Sequence, residues 1–220
     1  MKFEPRTALE RAETLMLDMD GTVLDLAFDN YIWKELVPRR YAAATDMSFN
    51  DARDHLFEQY RSVQGGLEWY CLDHWSERLG IDVMQLHHDV NHRIGYLPGA
   101  LQFLQAVCEQ DTRVLLVTNS HPDTLALKDA VTGLGDYFDG VFSSHSYGHA
   151  KESQAFWHAL QDDAGFDIET TLFVDDSQPV LQSAAEYGIR MLLTVTRPDT
   201  TQPVSHGSEF RGVEAVSDML

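Results

Sequence analysis

Three short apolar segments of the chain have the pattern of strands that are buried on both faces. They are continuously apolar rather than alternating, which is typical of parallel sheets covered by helices on each side. We therefore predict strands over residues 14–17, 114–117 and 171–174. Weaker strand patterns occupy residues 140–143 and 190–195.

Amphipathic or capped segments fill the intervals between these strands. We predict helices over residues 100–109, 125–131 (with Pro122 in the first turn), 151–162 and 179–187. Strands that alternate with helices indicate βαβ units. The expected fold class is α/β, with a Rossmann-like parallel sheet flanked by helices.

One interval is much longer than a crossover helix requires. Asp18 and Thr118, which end the first and second strands, are 100 residues apart. Residues 28–93 are helix-like and rich in aromatic side chains, so we predict an inserted four-helix module over the carboxyl edge of the sheet.

The expected domain division follows from this insertion. Residues 1–24 and 96–220 would form the catalytic core, and residues 25–95 an all-helical cap. The segment after Pro198 contains few apolar residues before Gly212, and we expect it to be loosely held.

The strongly negative net charge of the chain disfavours anionic macromolecules and membranes as partners. A formal net charge of −19 would repel the phosphate backbone of nucleic acid and an anionic membrane surface. We therefore expect no polymeric nucleic acid partner and no membrane partner. A small anionic substrate fits only where a local cation neutralises its charge. The oligomeric state is not indicated, and a monomer is the default expectation.

Cysteines and histidines give no metal-binding pattern along the sequence. Cys71 and Cys108 are too few for a disulfide framework and lack the paired spacing of a zinc site, so we expect both to be buried apolar residues. The group His87, His88 and His92 is expected to form a solvated face of the insert.

The start of the chain and its hydropathy indicate a cytoplasmic protein. Residues 1–13 are charged and contain no signal-type apolar stretch. No segment approaches the roughly 18 apolar residues that a membrane span needs.

Pairs of carboxylates follow two of the predicted strands. Residues i and i+2 of an extended chain face the same side, so Asp18 and Asp20 can address one ligand. They suit a nucleophile beside a general acid/base, or a Mg²⁺ shell; a turn that ends the strand is the alternative. Asp175 and Asp176 would repel each other without a cation, which indicates a metal, with a helix N-cap as the alternative.

Three further polar residues lie near the predicted strand and helix ends, and they are neutral or positively charged. Thr118 and Asn119 can hydrogen-bond phosphate oxygens, although helix capping before Pro122 would also explain them. Lys151 opens a predicted helix, where a cation is not favoured, so it indicates an anionic partner unless it is simply solvated. Open α/β sheets bind ligands at the carboxyl ends of their strands, where these residues would meet.

Together these motifs resemble the haloacid-dehalogenase-like superfamily of aspartate-nucleophile phosphatases. Asp-x-Asp-Gly-Thr, Thr-Asn, a downstream Lys and Asp-Asp occur in that family's order, and the resemblance spans residues 14–196. The insert matches the family's helical cap. A second acid at Asp20, with Thr22 beside it, resembles the phosphatase branch rather than the dehalogenases. A closer likeness, to bacterial GMP/IMP nucleotidases, lies in residues 26–31, 69–73, 151–154 and 157–159.

The resemblance implies hydrolysis of a small-molecule phosphomonoester. Asp18 would attack phosphorus to give an aspartyl-phosphate, and Asp20 would protonate the leaving oxygen and then activate water. Lys151 would pair with the nucleophile and the phosphate. Thr118 and Asn119 would hold phosphoryl oxygens.

The resemblance also implies Mg²⁺ as the cofactor. The ion would bind a carboxylate oxygen of Asp18, the backbone carbonyl of Asp20 and the carboxylate of Asp176, with Asp175 acting through water. Several carboxylates and a phosphate dianion cannot approach one another without such an ion and a lysine.

The insert offers several side chains that could select the substrate. Its aromatic side chains could stack on a purine, although packing explains most of them. Asn30, Asp29 and His121 are candidates to contact the base or ribose. The closer likeness implies purine nucleoside monophosphates such as GMP and IMP as substrates.

Three alternatives remain at this stage. A sugar-phosphate phosphatase or phosphomutase would share every core residue. A receiver domain also uses paired acids, a Thr and a Lys, but its adjacent acids end the first strand and it has no room for the insert. A binding protein with a dead site is disfavoured, because no core group is missing.

Overall fold

A computed structural model describes residues 4–220 and shows a six-stranded sheet at the centre of the molecule. The strands are β1 Thr14–Leu17, β2 Arg113–Thr118, β3 Gly140–Ser143, β4 Thr171–Asp175, β5 Met191–Val195 and β6 Arg211–Val213. Their order is β3-β2-β1-β4-β5-β6, and every neighbouring pair is parallel. The predicted α/β, Rossmann-like class is confirmed.

Eleven α-helices in the described residues connect and flank the strands. They are α1 Pro5–Arg11, α2 Ala27–Tyr31, α3 Val37–Thr45, α4 Phe49–Val63, α5 Leu67–Tyr70, α6 Leu72–Leu79, α7 Val83–Asp89, α8 Ala100–Val107, α9 Pro122–Thr132, α10 Gln154–Ala164 and α11 Gln178–Tyr187. A π-helical turn at Ile32–Leu36 joins α2 to α3. Short 3₁₀ turns follow α7, α9, β3 and β6.

The central strand separates two apolar cores. Leu15 and Leu17 of β1 are fully buried in the core that also contains the insert helices. Met16, on the opposite face, packs with side chains of α10 and α11 in a second core. Successive residues of a strand face opposite sides, so a strand buried on both faces must be apolar throughout.

The helical insert leaves the core after β1 and returns before α8. The backbone N–H of Asp25 donates to the carbonyl oxygen of Gly95 at 2.9 Å, which joins the two ends of the insert. Four principal helices fill it, namely the joined α2–α3, α4, α6 and α7, with α5 as an additional single turn. Four helices are what the sequence predicts.

The segment after Pro198 is held more firmly than expected. Asp199 is buried and accepts a 2.7 Å hydrogen bond from the Asn30 side chain of the insert. Further along, β6 adds a sixth strand to the edge of the sheet. The prediction of a loose tail was wrong, because polar contacts hold the segment near Asp199 and buried apolar side chains from Val213 onward pack in the core.

Three side-chain placements also differ from expectation. Cys71 is half-buried and Cys108 is exposed, so neither is a buried apolar residue. His87 is buried against Phe28 and bonds the Val83 carbonyl at 2.8 Å, so it does not belong to a solvated face.

The structure bears on the expected absence of a membrane span only for the residues that it describes. Residues 1–3 lie outside the described part of the chain. Among the helices of residues 4–220, none has both the length and the apolar character required to cross a membrane.

Candidate active site

A tight turn follows β1 and carries the first pair of acids. The backbone N–H of Asp18 donates to the carbonyl oxygen of Val174 at 3.0 Å, which fixes the end of β1 against β4. Gly21 has a φ of 92°, in the left-handed region that favours glycine. A Cβ atom on Gly21 would lie 2.7 Å from the carboxyl carbon of Asp176. Glycine therefore lets this turn approach Asp176 closely.

The strand ends and the insert enclose a cavity of about 510 Å³. We call its strand-end side the floor, formed by Asp18, Asp20, Thr118, Asn119, Lys151, Asp175 and Asp176. The facing side, which we call the aromatic wall, is formed by Trp33, Phe57, Tyr60, Trp69 and Trp75 of the insert. The acids of β1 and β4 flank the point where strand order reverses, the usual ligand position in such sheets.

Lys151 links the acids of the floor. Its Nζ atom lies 2.5 Å from Asp18 Oδ1, 2.8 Å from Asp175 Oδ2 and 3.0 Å from the carbonyl oxygen of Val117. The lysine precedes α10 instead of opening it, which corrects the prediction, because Ser153 caps that helix. Lys151 is thus buried and oriented by two carboxylates.

Three carboxylates of the floor lie close enough to share one cation. Oxygen atoms of Asp18, Asp175 and Asp176 fall within 4.8 Å of one another. Burial raises the pKa of Asp18 to about 8; Lys151 opposes this rise and Asp175 adds to it. Burial, followed by the charges of Asp175 and Asp18, raises the pKa of Asp176 well above its ordinary value. Hard oxygen donors that repel one another in this way fit a divalent ion such as Mg²⁺.

Asp20 belongs to an ion cluster that the sequence analysis missed. Lys128 Nζ, on α9, lies 2.7 Å from Asp20 Oδ1 and 2.9 Å from an oxygen of Asp29. Burial raises the pKa of Asp20 to about 6; Asp29 raises it further and Lys128 lowers it. Lys128 shares the buried face of α9 with Thr124 and Leu127, and this spacing is the signal that could have revealed it.

Thr118 and Asn119 lie in the floor, as their position after β2 predicts. Thr118 Oγ1 accepts a 3.0 Å bond from the backbone N–H of Ser120, which leaves its own hydrogen free to be donated. The Asn119 side chain accepts from the backbone N–H of Lys151 at 2.9 Å and donates to Glu152 at 3.0 Å. Asn119 therefore orients the segment that carries Lys151.

The three polar candidates for base or ribose contact each have a partner within the protein. One amide hydrogen of Asn30 is donated to Asp199, so the second remains for a ligand. Asp29 pairs with Lys128. His121 caps α9 and lines the cavity beside Thr118.

The amino-acid sequence matches a known protein family and a curated relative. The haloacid dehalogenase-like hydrolase model matches residues 12–188. A curated relative, GMP/IMP nucleotidase YrfG of Escherichia coli strain K12, is 42% identical over 193 residues, which cover 88% of this chain and 87% of that protein.

Solved structures agree on the fold. A HAD phosphatase from Thermococcus onnurineus superposes with a TM-score of 0.75 at 16% identity, covering 94% of this chain and 95% of that chain. The L-2-haloacid dehalogenase of Xanthobacter autotrophicus gives a TM-score of 0.62 at 17% identity, covering 94% and 96%. The matched residues contain all the motifs of the floor, and the chain belongs to the haloacid dehalogenase-like hydrolases.

Proposed function

We propose that the protein is a Mg²⁺-dependent 5′-nucleotidase that hydrolyses purine nucleoside monophosphates, GMP and IMP before AMP. The observation that carries this proposal is the floor, in which Lys151 holds Asp18 beneath a cavity with an aromatic wall. The 42% identity to a protein named GMP/IMP nucleotidase supports the choice of substrate.

Asp18 and Asp20 divide the chemistry between them. In the first step an oxygen of Asp18 bonds to phosphorus while the bond from phosphorus to the nucleoside oxygen breaks, and Asp20 donates its proton to that oxygen. In the second step water gives a proton to Asp20 and attacks phosphorus, which releases inorganic phosphate and restores Asp18. A pKa of about 6 suits Asp20 to both transfers near neutral pH.

Other groups of the floor position the phosphate. Lys151 supplies a cation beside the nucleophile, and Thr118 has a hydroxyl hydrogen to donate to a phosphoryl oxygen. Asn119 donates one amide hydrogen to Glu152, and its second amide hydrogen would hold a phosphoryl oxygen. These contacts matter most where charge develops in the transition state.

The carboxylates of Asp18 and Asp176 and the backbone carbonyl of Asp20 would hold Mg²⁺. Asp175 is already paired with Lys151 Nζ, so it would contribute through water. When bound, the ion neutralises negative charge on the acids and the phosphoryl oxygens.

The insert supplies specificity and shields the reaction from water. We propose residues 25–95 as a cap domain on a core of residues 1–24 and 96–220. Its aromatic wall suits a flat purine better than a polyhydroxylated sugar, which favours the nucleotide over the sugar-phosphate alternative. GMP and IMP carry a carbonyl that would accept the second amide hydrogen of Asn30, whereas AMP presents an amino group there.

The test is to follow phosphate release from GMP with Mg²⁺ or with a chelator, and to quench the reaction rapidly. We expect release only with Mg²⁺, and a phosphoryl group on the peptide that contains Asp18. The matched control is the Asp18→Asn variant, whose folding is to be checked by circular dichroism. Release of phosphate by that variant would defeat the covalent mechanism.

A further inference from the structure

One thiol and two imidazoles meet apart from the acids of the floor, and only His121 among the three lines the cavity. Cys71 Sγ and one ring nitrogen from each of His121 and His145 lie within 4.8 Å of one another. Cys71 joins α5 to α6 in the insert, His121 caps α9, and His145 lies in the 3₁₀ turn after β3. The cluster therefore spans the interface between the insert and the sheet edge.

His145 has a buried ring nitrogen, Nε2, without a hydrogen bond in the described residues. Its ring meets the His121 ring edge to face, with centroids 5.0 Å apart.

His121 has carboxylates on both sides of its ring. Nε2 lies 3.8 Å from an oxygen of Asp73 in the insert, and Nδ1 lies 3.7 Å from an oxygen of Asp123. Nδ1 accepts a long bond, 3.3 Å, from the Asp123 backbone. Coordination through Nε2 would place the proton on Nδ1, which would then donate to the Asp123 carboxylate in place of the long bond that it now accepts. A carboxylate is a usual outer partner of a metal-bound histidine.

We propose that Cys71, His121 and His145 bind one Zn²⁺ ion, with Asp73 or water in the fourth position. Zn²⁺ holds thiolate and imidazole ligands at about 2.0–2.3 Å, so donors this close need only small rotations to share it. Binding releases the thiol proton of Cys71. The ion ties the insert to the core.

This cluster differs in chemistry from the floor. A thiolate with imidazoles selects transition metals such as Zn²⁺ and Co²⁺, whereas carboxylates alone suit Mg²⁺. The proposal does not depend on the nucleotidase activity, and its test uses metal-binding signals in the full chain.

The first experiment titrates chelator-treated, reduced protein with Co²⁺ while Mg²⁺ is in excess. We expect a thiolate-to-cobalt absorption band that saturates at one Co²⁺ per chain, disappears on addition of Zn²⁺ and is absent in Cys71→Ser. Cys108→Ser, which alters the exposed cysteine, is the matched control and should keep the band. No band in the wild type, or a band that persists in Cys71→Ser, would overturn the proposal.

The second experiment needs no variant and so does not depend on how Cys71→Ser folds. One equivalent of Zn²⁺ should slow alkylation of Cys71 by iodoacetamide about tenfold or more, since a coordinated thiolate is protected. Cys108 in the same molecules should react at an unchanged rate. Equal reactivity of Cys71 with and without Zn²⁺ would refute the site.

Discussion

The floor and the aromatic wall face each other across one cavity, yet different forces build them. In the floor, buried charges fix one another, as in the 2.5 Å and 2.8 Å contacts of Lys151 with Asp18 and Asp175. In the wall, rings meet edge to face, as Tyr60 does with Trp75 at 4.9 Å and with Trp33 at 5.7 Å.

This difference separates chemistry from specificity. Charge pairs with defined geometry hold reacting atoms in place, and every phosphomonoester needs them. Packed rings offer a shaped apolar surface, which matters only to a substrate that fills it. Changes in the floor should therefore affect all substrates, whereas changes in the wall should affect nucleotides alone.

Replacing the nucleophile should have the largest effect. Asp18→Asn removes the attacking oxygen, so we expect kcat to fall by a factor on the order of 10⁴ or more for GMP and nitrophenyl phosphate alike. Steady-state assays with both substrates measure this. If nitrophenyl phosphate turnover survived while GMP turnover was lost, the floor would not act on all substrates.

Breaking the second ion cluster should mainly destabilise the protein. Lys128→Met removes a buried cation and leaves the half-buried carboxylates of Asp20 and Asp29 unpaired, so we expect a loss of about 3 kcal/mol in the free energy of unfolding. Urea denaturation measures the loss. The double variant Lys128→Met/Asp29→Asn, which also removes one acid, should recover part of it. A loss below about 1 kcal/mol in the single variant would show that the pair is not a buried charge network.

Stability of the metal-free protein should fall as pH rises. The pKa values of Asp18, about 8, and Asp20, about 6, exceed the ordinary 3.8, so the folded state binds more protons than the unfolded state. The stability these groups contribute is complete below about pH 4 and is lost as pH rises through about 6 to 8. Thermal melts with a chelator, at about pH 5.5 and about pH 8.5, measure the trend.

Mg²⁺ should reverse that loss. At a hundred times its Kd the ion should add about 2.7 kcal/mol, or roughly 5–10 °C in Tm, with the larger gain at the higher pH. Asp176→Ala should reduce the gain and raise the Mg²⁺ midpoint of activity, while Asp175→Ala should raise that midpoint less. An unchanged midpoint in Asp176→Ala would refute its assignment as a ligand.

Truncating one side chain of the aromatic wall should have the smallest effect on activity. Trp33→Ala should raise KM for GMP by a factor that corresponds to ~1–3 kcal/mol of lost stacking, while kcat changes little. Nitrophenyl phosphate should be hydrolysed as before. Trp33→Phe, which keeps a ring, is the matched control and should lie near the wild type. An equal loss for both substrates would mean that Trp33 supports the floor.

The positions of most floor residues could be predicted because they lie at the end of a strand or directly after it, whereas Lys151 lies in the loop before α10. Asp18, Thr118 and Asp175 end three neighbouring parallel strands, and the strands carry a clear local pattern. Parallel pairing brings their carboxyl ends together without any further information.

Contacts between distant segments could not be predicted in the same way. The spacing of Lys128 places it on the buried face of α9 but does not reveal its partners, Asp20 and Asp29. The bond from Asn30 to Asp199 depends on the path of a segment that has no apolar pattern. Cys71 and His145 have no recognisable metal spacing, because three separate loops bring that cluster together. Tertiary structure, rather than local pattern, determines these positions.

The most direct test of the central claim compares kcat/KM across substrates. Wild-type protein with Mg²⁺ should hydrolyse GMP and IMP best, AMP less well because a donor is left unpaired at a cost of ~1–3 kcal/mol, and UMP and a hexose phosphate more poorly still. A hexose phosphate that exceeded GMP by about tenfold or more, a difference of about 1.4 kcal/mol, would contradict the account. The floor would then serve a sugar-phosphate phosphatase, and the aromatic wall would not be a purine site.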